Sequence, residues 1–136
     1  MYPESFVRPM KAELTAVGFE DLTTSDSVEN AIKHPGTVLM VVNSVCGCAA
    51  GACRPGVIKS LESSKKPSKL VTVFAGFDTE AVAQARTHFA PYPPSSPCLA
   101  LFKDGELVHF MERHHIEGKN AQMIAEHLDK VYNEFC

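Results

Sequence analysis

The order of its apolar segments predicts an α/β fold: one mixed four-stranded sheet with helices on both faces. Two continuously apolar runs, Thr37–Val42 and Leu70–Ala75, are separated by a long helical segment, and strands joined through a helix pair in parallel. Neither run shows the polar alternation of a half-exposed strand, which places both near the sheet centre. Further along, Asp104-Gly105 lies between Cys98–Phe102 and Glu106–Met111. Asp-Gly between two apolar runs is a hairpin turn, and it adds two antiparallel strands.

The elements follow in chain order. Pro9 to Val17 reads as a short amphipathic helix that stops at Gly18, and Ser25, Asp26 or Ser27 offers a cap for a second, Val28–Lys33, closed by Pro35-Gly36. After the Thr37–Val42 strand a helix is expected from Cys46 to about Ser63, kinked at Pro55. Lys65–Ser68 is a loop, and the Leu70–Ala75 strand comes next. Asp78 or Thr79 can cap a helix reaching about Phe89. The proline-rich Ala90–Pro97 is a rigid loop leading into the hairpin. The last helix, about Lys119 to Phe135, carries Met123, Ile124, Leu128, Val131 and Tyr132 at helical spacing. With no internal repeat and no linker, a single domain over residues 1–136 is expected.

The most informative residues are Cys46-Gly47-Cys48, where the first central strand passes into a helix. Free backbone N–H groups and the helix dipole favour thiolate at such a corner. Cysteines two positions apart diverge on a strand and do not face each other on a helix, so a disulfide between them needs a bent backbone, which Gly47 permits. A disulfide closed under that constraint is expected to be easily reduced, as a redox catalyst requires.

The remaining composition narrows the class. Thirteen Lys and Arg against 16 Asp and Glu give a formal charge of −3, no electrostatic reason to expect nucleic acid or an anionic membrane as partner. No apolar run approaches the ~18 residues of a membrane span, and Met1–Ser5 lacks the basic and apolar regions of a signal peptide. A cytoplasmic location is therefore expected. There an odd set of five cysteines (46, 48, 53, 98 and 136) is more readily catalytic or metal-binding than structural.

Other readings of the same residues stay open. Cys46 and Cys48 could be small buried hydrophobes, or could join Cys53 and a histidine around zinc, although the spacing is not that of a zinc knuckle. Cys53 fits helix packing, Cys98 fits either core filler or active-site neighbour, and Cys136 fits an exposed terminal thiol. His114 and His115 are expected to point apart on the surface. Arg54 is expected to be solvated, with a thiolate-attracting role as the alternative. Met40 stands six residues before Cys46, where a thioredoxin-type motif would carry a buried acid.

Asn43–Gly51 and Tyr92–Pro97, together with Lys103-Asp104-Gly105, Val108-His109 and Glu112–Gly118, resemble the bacilliredoxins, and the element order resembles the thioredoxin fold. The resemblance spans nearly the whole chain. It implies removal of the low-molecular-weight thiol bacillithiol from oxidised client proteins, with Cys46 as attacking thiolate and Cys48 as the second thiol. It places Pro97 where thioredoxin-like folds carry a cis-proline facing the active site, and so assigns Ser96 and Pro97 to substrate binding. The implied partners are S-thiolated clients and bacillithiol as thiol substrate or reductant, with no metal and no other cofactor. The alternatives are a general thiol–disulfide oxidoreductase or isomerase and, in another class, a metal-binding or thiol-sensing module. Two departures from the pattern stand out: one residue rather than two separates the cysteines, and Cys53 and Cys98 occupy positions expected to be other residues.

Overall fold

The computed structural model describes residues Met1–Cys136. Its elements are α1 (Glu4–Thr15), β1 (Glu20–Asp21), α2 (Ser25–Ile32), β2 (Thr37–Asn43), a π-turn (Ala49–Cys53), α3 (Arg54–Ser60), β3 (Lys69–Phe74), α4 (Thr79–Arg86), β4 (Cys98–Lys103), β5 (Glu106–Met111), α5 (Arg113–Ile116) and α6 (Ala121–Phe135). The sheet runs β1-β3-β2-β4-β5, with β3 parallel to both β1 and β2 and the β4–β5 hairpin antiparallel. It is five-stranded rather than four-stranded. The added edge strand, β1, pairs only Glu20 with Val71 and Asp21 with Thr72, too short to leave a periodic signal.

Strand β2 is buried along all seven residues, as its unbroken apolar run requires. Alternation then deals its side chains to two cores. Val38, Met40 and Val42 meet α2 and α4 through residues such as Val28, Ile32, Ala81 and Val82. Leu39 and Val41 meet α1, α3 and α6 through Leu14, Val57, Ile124 and Leu128. The hairpin turn takes the positive backbone angles that Asp-Gly supplies, φ 50° at Asp104 and 84° at Gly105. Asp104 also accepts the Gly36 N–H on Oδ1 at 2.8 Å and donates its own N–H to Gly36 O at 2.9 Å, fixing the hairpin to the loop before β2.

Several boundaries differ from the expected ones. Helix α1 starts after Pro3 and carries Pro9 inside, so Pro3 rather than Pro9 marks its beginning. The segment expected to be a helix from Cys46 to Ser63 is helical without a break from Gly47 to Ser60, but it widens to π geometry through Ala49–Cys53 before α3, which holds Pro55. Pro55, which offers no N–H to the helical ladder, lies just after this π turn, where the helix changes its hydrogen-bond register. Asp78 holds the cap position of α4 without capping through its side chain; its carboxylate instead pairs with Lys11 Nζ at 2.7 Å. No helix is long and apolar enough to cross a membrane.

Candidate active site

The two motif cysteines are free thiols. They sit half-buried at the end of the β2 loop, with Sγ atoms 2.8 Å apart. The Ala49 and Ala50 N–H groups both donate to Cys46 O at 3.1 Å, so the chain enters the helix directly at the first thiol. Gly47 has no positive φ, and a Cβ added there meets nothing within 4 Å. The thiol form therefore does not itself demand glycine at this position.

The thiols differ in acidity although they touch. Burial pushes Cys46 up, but the Cys48 thiol in contact with it, the neighbouring Ala49 N–H and Ser44 hydroxyl, and the charge of Arg113 outweigh it and hold Cys46 below the ordinary cysteine value. Cys48 is raised, first by burial and then by its hydrogen bond to Cys46 and the charge there. A negative charge on the pair is therefore favoured on Cys46 over Cys48. That is the arrangement of a nucleophile with a protonated neighbour.

A buried polar clamp fixes the segment before the thiols. Arg54, only 2% exposed, donates from Nη1 to Asn43 Oδ1 at 2.9 Å and to Ser44 O at 2.7 Å, and its Nε lies 3.0 Å from Glu13 Oε1. Asn43 Oδ1 also accepts the Ser44 N–H at 2.8 Å, while its amide donates to Met10 O at 3.2 Å. The expectation of a solvated Arg54 is corrected: the guanidinium is buried because the exit of β2 carries carbonyl and amide oxygens that need a forked donor. Asn43 was not singled out from sequence. Its signal was a lone amide at the end of an otherwise apolar strand.

The proline-rich loop comes to the same end of the sheet. Cys98 pairs with Val42, so Pro97 arrives where β2 releases the thiol loop. Pro97 is buried, and its bond to Ser96 is cis, as is the Ala90–Pro91 bond. Ser96 is half-buried and offers its carbonyl to Arg113 Nη1 at 3.2 Å; Ser95 Oγ accepts the Arg113 N–H at 3.3 Å. Arg113 stands on α5, a short helix absent from the expected element order. Its guanidinium is held by Glu117 Oε1 at 2.5 Å, and its charge acts on both thiols. It lay within a segment quoted for the family resemblance, but nothing in its spacing linked it to Cys46.

The other candidates fall away from this centre. Cys53 is fully buried against the α1/α3/α6 core, and burial raises its thiol far above the ordinary value. Cys98 is likewise buried, in the α2/α4 core, and its thiol is pushed up to about 12. Both are core filler with inert thiols at neutral pH. Cys46, Cys48 and Cys53 do not gather as metal ligands; the side chains that come together are Glu112, His114 and His115. The expectation that the two adjacent histidines diverge is also corrected, because they lie in the α5 turn with ring centroids 4.1 Å apart. Cys136 is exposed at the chain end, and Met40 is buried in the core.

Residues 2–136 match a family described as disulphide isomerase. A bacilliredoxin of Cytophaga hutchinsonii is 65% identical over 134 residues, covering 98% of this chain and 99% of the relative. One from Halalkalibacterium halodurans is 50% identical over 136 residues, covering 99% of this chain and 94% of its own. Among solved structures, oxidised mitochondrial thioredoxin 3 of Saccharomyces cerevisiae superposes with a TM-score of 0.61 at 18% identity, covering 90% of this chain and 98% of that one. Reduced Schistosoma mansoni thioredoxin pre-protein gives 0.61 at 15% identity, covering 88% and 99%. The fold is that of the thioredoxins.

Proposed function

The chain belongs to the bacilliredoxin family and is a thiol–disulfide redox protein, and we propose that it removes bacillithiol from S-bacillithiolated clients through Cys46 and Cys48. The observation that carries this reading is the pair of free thiols in contact, Sγ atoms 2.8 Å apart, where the chain passes from β2 into the helix. Cys46 thiolate attacks the bacillithiol sulfur of the mixed disulfide. A Cys46–bacillithiol disulfide forms, the old disulfide breaks, and the client leaves as thiolate. In the second step Cys48, after losing its proton, attacks Cys46 Sγ and releases bacillithiol thiolate, leaving a Cys46–Cys48 disulfide. Alternatively, a free bacillithiol thiolate attacks the bound bacillithiol sulfur and releases Cys46 thiolate with bacillithiol disulfide. Substrate binding at Ser96 and Pro97 is part of the same proposal, supported by the Arg113 guanidinium, which holds the Ser96 carbonyl and whose charge favours thiolate at Cys46.

A broader reading, general disulfide isomerase chemistry at the same thiols, is favoured by the description of the matching family. A release assay separates the two. Client freed from an S-bacillithiolated protein is followed for wild type and Cys46→Ala, beside recovery of a scrambled-disulfide substrate. Rapid client release that Cys46→Ala abolishes supports the proposal. Full activity of Cys46→Ala rules it out, and isomerase activity without client release would favour the broader reading.

A further inference from the structure

Strand β5 and helix α6 bring two imidazoles together. His109 Nε2 and His127 Nε2 lie 2.9 Å apart, with ring centroids at 5.1 Å. They flank a cavity of about 310 Å³ that Met111, Met123, His115 and Lys119 also line. We propose that His109 and His127 form a binding site for a late first-row divalent transition ion of the zinc class.

The geometry supports this directly. With metal–nitrogen bonds of about 2.0 Å, nitrogens 2.9 Å apart subtend roughly a right angle at the ion; a tetrahedral angle needs a separation of about 3.3 Å, a small ring movement. The cavity beside the pair leaves room for water to complete the coordination. The charged groups facing the pair are Lys119 and Lys130 against Glu134. No carboxylate cage is present, so oxygen-seeking calcium and magnesium have little to hold, while imidazole selects zinc and its neighbours. His115 already accepts the Glu112 N–H on Nδ1 at 3.1 Å, so it lines the cavity without being needed as a ligand.

The test uses the full chain after iodoacetamide has blocked its accessible thiols, titrated with Zn²⁺ in a calorimeter. One ion per chain is expected. His109→Gln and His127→Gln should each weaken binding by about tenfold or more, with circular dichroism and Tm unchanged, while His114→Gln binds as the parent does. Independently of any variant, Zn²⁺ should shift the ring resonances of His109 and His127 in the parent. Absence of binding, or binding that neither glutamine variant alters, would reduce the pair to an imidazole–imidazole hydrogen bond and overturn the proposal. Loss on His114→Gln alone would place the ion on Glu112, His114 and His115, and would equally overturn it.

Discussion

Thiolate is favoured at Cys46 because several weak influences act on one sulfur. Burial works against the charge, yet the Cys48 thiol, the Ala49 N–H, Ser44 and Arg113 together reverse it. The Cys46 share of this was legible in the motif, since a strand-to-helix corner supplies N–H groups wherever it occurs. The Arg113 share was not: 67 positions separate it from Cys46 in the numbering, and only the α5 turn brings its charge to bear. Arg113→Gln should therefore raise the midpoint of the Cys46 alkylation-rate profile against pH. The difference from wild type should shrink in about 1 M salt, where screening acts over roughly 3 Å. An unchanged midpoint would show that Arg113 does not stabilise the thiolate.

Among the elements, α3 connects the site to the rest of the molecule. Its Arg54 clamps the end of β2, and its Gly56 packs against α6 so closely that an added Cβ would lie 2.5 Å from Ile124 Cβ and 3.2 Å from Ala121 O. Gly56→Ala should cost about 1–3 kcal/mol by overpacking, read as a lower denaturation midpoint. A neutral or stabilising change would mean that the α3–α6 contact yields easily. Gly56 and Arg54 show where sequence reading stops: each was visible as a residue in a helix, but close approach and burial depend on partners 68 and 11 positions away. The long strands were legible because an apolar run or an Asp-Gly turn is local. Strand β1, the π-turn and α5 were not, because two to five residues carry no period.

For the whole molecule, the two cores on either side of β2 follow from its alternation, and Cys98 and Cys53 belong to those cores. Cys53 and Cys98 keep their protons in the folded state well above the ordinary thiol value of 9.0. Above that pH the unfolded chain releases protons that the folded chain retains, so stability falls as pH rises. Each thiol should remove about 1 kcal/mol by pH 10, and Cys98→Val should flatten the slope of denaturation midpoint against pH. A slope unchanged in that variant would contradict the burial argument for Cys98. The sequence left Cys98 open between core and active site, because β4 starts beside the thiol loop while Cys98 itself packs into the α2/α4 core.

The central claim is that Cys46 attacks and Cys48 resolves. Intact and peptide mass spectrometry of Cys48→Ala, after incubation with an S-bacillithiolated client and no free thiol, tests it most directly. The account predicts free client in step with one bacillithiol per chain, attached at Cys46 and persisting because the neighbouring thiol is gone. Client release with no adduct on Cys46, or an adduct on another cysteine, would contradict it.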